Sequence, residues 1–118
     1  MVLHHRNGKM MIEKLMGMLE DGRDSPLLRF SIAKTLKAAG QFEVAALHLQ
    51  EAIRQDPDYS AVWAELGECR ARLGDDDGAI AAWLEGIAVA VRRGDIQAKR
   101  QMEVRLRRVQ SRALKGVS

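Results

Sequence analysis

One cysteine, Cys69, is all the chain has. Without a second thiol an intramolecular disulfide is excluded, and the expected setting is a reducing compartment, the cytoplasm. Proline is nearly as scarce. Pro26 and Pro57 are the only two, each placed where a helix begins or has just ended. Aromatic residues make up 4% of the chain, and nowhere do β-branched and polar residues alternate along a convincing strand. No stretch approaches the roughly 20 apolar residues of a membrane span, so no membrane partner is expected. The basic start (His4, His5, Arg6, Lys9) is followed by Glu13, Lys14 and Glu20, which interrupt the apolar run of a secretory signal. No small-residue cleavage site follows it.

What remains is a helix-forming chain. Its 118 residues suit one domain with a modest core, and an apolar share of 47% is that of a folded protein. Ala, Leu, Arg and Glu are frequent, which favours helix over sheet. The fold class expected is all-α. Charge is unevenly spread. From Val91 onward nine Lys/Arg stand against Asp95 and Glu103, a net of +7, which leaves −4 for the first 90 residues of a chain whose total is +3.

Punctuation along the chain divides it into about six helices. Apolar residues from Met11 to Leu19 follow helical spacing, predicting a first helix over 9–20 that Asp21-Gly22 ends. Residues before it are expected to fray. Asp24-Ser25-Pro26 reads as a helix start, an N-cap oxygen followed by proline. Gly40 breaks that helix, and a second runs from about Phe42 to Gln55, closed by Asp56-Pro57. Asp58 or Ser60 is the expected cap of the next helix, which ends at Leu73-Gly74. Asp76 to Arg92 forms another. Gly94-Asp95 then breaks and caps, and a last helix extends over 95–113. Its narrow apolar stripe (Ala98, Met102, Leu106, Val109 and Ala113, with Ile96 at the entrance) fits a terminal cap with one face in water.

A shift of 34 residues brings the middle of the chain into register with itself. Gly40 lands on Gly74, Ala45 on Ala79, Glu51 on Glu85 and Ile53 on Ile87, while Ile32-Ala33 lands on Leu66-Gly67 and Leu49 on Trp83. The matches fall at turns and at small or apolar helix positions, as a structural repeat requires. Small residues recur where paired helices should meet: Ala33 with Ala45, and Gly67 with Ala79. With its Trp63-Ala64-Glu65-Leu66-Gly67 helix and the Asp56-Pro57 turn before it, the chain resembles the tetratricopeptide repeat family. The resemblance implies an α-solenoid segment of two helix-turn-helix repeats, 26–59 and 60–93, with a first helix and a capping helix on either side.

It also implies a non-catalytic scaffold whose concave groove takes a peptide or helix of a partner protein. Carried over by register, the groove is Leu27, Phe30, Lys34, Lys37 and Ala38, then Ala61, Ala64, Glu65, Glu68, Ala71 and Arg72. One subset of the family clamps a partner's C-terminal carboxylate with Lys, Asn and Arg. Here Phe30 stands at the place of its first Lys, and Lys34 and Glu65 at places of Asn, which argues against that clamp. Lys34 and Lys37 either serve the groove or pair with Glu65 and Glu68, each pair worth roughly 0–1 kcal/mol at a surface.

Other constellations carry less. A nucleic-acid-binding accessory protein is the alternative function, using Arg100, Arg105, Arg107, Arg108 and Arg112 of the last helix on phosphates. Against it, no aromatic interleaves the basic run to stack on bases. Asp75-Asp76-Asp77-Gly78 looks like part of a calcium loop, but Leu73 and Leu84 occupy its first and twelfth ligand places. Helix capping explains it better. His4, His5 and His48 make no site, and Cys69 has no partner for a nucleophilic dyad. No catalytic residue, metal or cofactor is expected. Met10, Met11, Met16 and Met18 give the first helix an apolar face that either packs in the core, the favoured assignment, or stays open to a partner or a second copy of the chain.

Overall fold

The structure, a computed structural model, describes residues 2–117, with side chains from Gly8 to Gly116. Six helices follow one another: α1 (Val2–Glu20), α2 (Pro26–Ala38), α3 (Phe42–Gln55), α4 (Ser60–Arg72), α5 (Asp76–Arg93) and α6 (Ile96–Val117), with no strand among the described residues. The first helix reaches back to Val2 rather than starting at Lys9. No proline stands between Val2 and Lys9, and the single glycine there, Gly8, costs about 1 kcal/mol against alanine. The histidines His4 and His5 carry side chains outside the described residues.

One device ends α1, α2, α4 and α5. At each a glycine takes positive φ (Gly22, Gly40, Gly74, Gly94). The next residue's N–H reaches back to a carbonyl five residues earlier: Arg23 to Met18, Gln41 to Leu36, Asp75 to Arg70 and Asp95 to Ala90. These bonds satisfy orphan carbonyls of the last turn, and only glycine enters that conformation without strain. The helix α3 instead stops at Asp56-Pro57, where the Asp56 carboxylate accepts the Asp58 N–H at 3.1 Å.

Helix starts follow local chemistry in three cases. Ser25 accepts from Leu28 N–H, Asp75 from Gly78 N–H and Asp95 from Ala98 N–H. The start of α4 differs from expectation. Its N-cap is Tyr59, with no side-chain cap bond, and neither Asp58 nor Ser60 caps. The Ser60 hydroxyl donates instead to Asp95 Oδ2 at 3.0 Å, and Asp58 pairs with Arg92. Long-range partners win here over the local one.

Successive helices pack as hairpins, and α4 is the hub. It packs on α3 and α5, and more lightly on α2 and α6. One apolar cluster joins Ala33, Ala45, Ala46, Leu49 and Ala52 to Val62, Leu66 and Cys69. A second joins Ala64, Ala79, Trp83 and Ala90 to Met102 and Val109 of α6. Ala33 and Ala45 share the first cluster, as their pairing required. The smallness of Gly67 answers to Trp83: a Cβ there would lie 2.2 Å from the indole nitrogen. That nitrogen donates to the Ala64 carbonyl at 3.1 Å. The last helix covers the end of the stack with Met102, Leu106 and Val109, while Ile96 and Ala113 are exposed.

Candidate functional site: the concave face

The helices α2 and α4 touch, as do α4 and α6, whereas α1 and α3, or α3 and α5, do not. The stack therefore closes on the side of α2, α4 and α6 and splays on the other. The closed side is concave, and every groove residue expected from the sequence belongs to α2 or α4.

At the beginning of α2, Leu27 is 63% exposed. The half-buried Phe30 ring meets Tyr59 at 5.3 Å between centroids, and Lys34 Nζ sits 5.4 Å from the Phe30 centroid. Lys37 reaches across to α4, its ammonium 2.5 Å from Glu65 Oε2, with both side chains largely covered. Of the two ion pairs weighed from sequence, this one forms. The other does not, because Lys34 lies over Phe30 and Glu68 is engaged elsewhere. Arg72 Nε approaches the Glu68 carboxylate at 3.7 Å, and the Arg72 guanidinium also covers the Phe42 ring at 5.4 Å. Arg105 of α6 lies on Glu68's other side, Nε at 3.9 Å. Ala64 offers no groove surface, since its side chain is buried and its carbonyl holds Trp83.

Arg105, expected on the basic face of the last helix, lies instead beside Glu68 of α4. A signal for it existed. Two more steps of the 34-residue shift carry Lys37 to Ala71 and then to Arg105, and Phe30 to Ala64 and then to Ala98. By register α6 is thus the first helix of a third unit as well as a cap. The basic face is divided accordingly. Arg105 and Arg112 are tied to Glu68 and Asp76 of the repeats, while Arg100, Arg107 and Arg108 are exposed and pair with no acid among the described residues.

Burial pushes the Cys69 thiol up to about 11, so it is not a thiolate at neutral pH. Among the described residues no group of three or more His, Cys, Asp or Glu could hold a metal ion. No described helix is long and apolar enough to cross a membrane.

Helix hairpins stacked in register, with the leading helix of each on a shared concave face, define an α-helical repeat protein. The sequence pattern of the tetratricopeptide repeat matches residues 30–97. A TPR repeat-containing protein of Pseudomonas aeruginosa is 49% identical over 100 residues, 85% of this chain and 95% of that protein. The chain belongs to the tetratricopeptide repeat family. A solution structure of a Bordetella parapertussis protein is similar at 42% identity and a TM-score of 0.77, covering 86% of this chain and 88% of that one. The fold is also that of PcrH from Pseudomonas aeruginosa, solved with the chaperone binding region of PopD. There the TM-score is 0.85 at 15% identity, over 94% of this chain and 84% of the other.

Proposed function

We propose that this protein is a non-catalytic scaffold that holds a peptide or helix of another protein in the groove of α2, α4 and α6. The observation that carries it is the concave face itself. Three helices meet on it, Leu27 stands exposed at one end, and charged side chains link its helices. Family membership supports the same role, as does the likeness to PcrH, solved in complex with the chaperone binding region of PopD. A cytoplasmic setting belongs with it, resting on the single buried cysteine. The test is site-specific photo-crosslinking in the source cell. A crosslinker at Leu27 or Lys34 should trap a discrete protein adduct, and one at Leu47, exposed on α3, should not. Adducts at Leu47 alone would place the binding surface on the opposite face and refute the proposal.

A further inference from the structure

We infer, building on the groove function proposed above, that the groove selects an acidic segment of its partner protein, held by a cationic rim that ends on Arg105. The occupant's chemistry follows from charge. Lys34, Lys37, Arg72 and Arg105 reach this face from three helices; against them stand Glu65, Glu68 and, at the start of α6 where the register aligns with Leu27 and Ala61, Asp95, which Ser60 already engages. Lys37 neutralises Glu65. Glu68 is divided between two arginines, each farther from it than a hydrogen bond. Lys34 has only the face of Phe30. The balance on the groove is positive although the first 90 residues are net negative.

Arg105 is where this imbalance is sharpest. Its Nη1 is shielded from solvent and has no hydrogen-bond partner, and its Nε lies 3.9 Å from Glu68. A guanidinium has five donors in a fixed fork and matches a carboxylate through two parallel N–H···O bonds. Glu68, shared with Arg72, supplies less than that. Nη1 is covered as the side chain stands, so a carboxylate entering the groove reaches it as the guanidinium rotates, and then gives it the acceptor it lacks. Leu27, at the other end of the face, offers an exposed apolar contact beside this rim. The segment that fits therefore carries acidic side chains along one edge and an aliphatic one near the other. A single-stranded nucleic acid fits less well, because bases need aromatic faces to stack on and the Phe30 ring is already engaged by Tyr59 and Lys34.

Three fluorescein-labelled peptides of equal length, built of Leu with Glu, Leu with Gln and Leu with Lys, serve as probes. Fluorescence anisotropy measures affinity, and amide chemical shifts of the labelled protein locate binding. The Leu–Glu peptide should shift amides of α2, α4 and α6 and bind about tenfold tighter than Leu–Gln, with the advantage shrinking as salt is raised. Arg105→Gln should remove most of that advantage, and Arg107→Gln, at an exposed unpaired site, should leave it. If Arg105→Gln fails to match the wild-type circular dichroism, Lys34→Gln at the exposed rim replaces it, with the same direction of loss expected. Equal binding of Leu–Gln in the groove would overturn the inference and leave the groove function standing. A preference for Leu–Lys, or a Leu–Glu advantage lost with Arg107→Gln and not with Arg105→Gln, would overturn it too. If no peptide shifts groove amides, the groove function falls with it.

Discussion

Gly67 shows how much one missing methyl can decide. Inside α4 an alanine would favour the helix by about 1 kcal/mol, yet its Cβ would fall within 2.5 Å of three atoms of the Trp83 ring. Moving a packed indole costs about 1–3 kcal/mol, and here the move also strains the bond to the Ala64 carbonyl. Packing should win, so Gly67→Ala is expected to lower Tm by several degrees. Gly17 of α1 supplies the contrast. A Cβ there meets nothing within 4 Å, so Gly17→Ala should raise Tm slightly in the same melting experiment. His48 sets a second residue-scale expectation. Its Nδ1 lies 3.1 Å from Arg29 Nη1. Burial first and the Arg29 charge second hold its pKa below the usual 6.5, against a weaker opposing pull from Asp24. A histidine kept neutral in the fold takes up protons first in the unfolded chain, so stability should fall as pH drops below about 6.5. Asp24 and Glu51 act at lower pH. Hydrogen bonds from Arg29 and Gln55 hold Asp24 well below its ordinary value, and those from Arg54 and Gln55 hold Glu51 at about 2. Their contribution is present above about 4.5 and is lost as pH falls toward 2. Urea unfolding at a series of pH values should show both declines, and His48→Gln should flatten only the first.

At the scale of the element, α6 has two duties. Its Met102 is fully buried, with the sulfur 2.5 Å from where a Cβ on Gly86 would stand, so α5 and α6 approach closely. Val109 adds to the same cluster around Trp83. Removing residues 95–118 would uncover that cluster and strip Ser60 of its Asp95 acceptor. The shortened protein is expected to aggregate or to lose its far-UV helical signal. A soluble, cooperatively folded product of that deletion would show that α6 is not needed for the fold. The opposite end is built differently. Among the described residues α1 packs only on α2, Met16 and Met18 are half-buried, and Met10 and Met11 are 61% and 50% exposed. The four methionines thus divide between packing and open surface. Among the described residues of this helix, Met10 and Met11 are the large apolar side chains open to a partner or a second copy.

For the whole molecule, dimensions of 46 × 35 × 20 Å describe a thin stack in which every helix reaches solvent. Such a stack need not unfold as one body, because repeat arrays add their stability locally. Here α4 supplies Val62, Leu66 and Cys69 to one cluster and Ala64 to the other, with Trp63 touching both. Neither half keeps its core without that helix. Ion pairs from Arg92 to Asp58, Arg105 to Glu68 and Arg112 to Asp76 also bind the basic end of the chain to the acidic repeats, though each exposed pair adds only about 0–1 kcal/mol. Tryptophan fluorescence and far-UV circular dichroism are therefore expected to report one coincident unfolding transition. Two separated transitions would mean that the clusters are independent.

Most helix ends, the 34-residue register and the small residues of the core were legible in the sequence. They depend on short-range chemistry: a glycine free to take positive φ, a side-chain oxygen three residues before an N–H, an apolar face at helical spacing. Pro26 opens α2, and α3 runs over Phe42–Gln55 as its flanking residues imply. Side-chain partners were not legible in the same way. Lys37 takes Glu65 and Lys34 takes the Phe30 ring; Ser60 leaves its own helix for Asp95, and Glu68 meets an arginine 37 positions further on. Those choices depend on how far one helix is rotated and tilted against the next, which no local rule contains. The sequence determined where the helices are and that they repeat. Only their packing decided which charges the groove presents, because long polar side chains settle after the backbones have met.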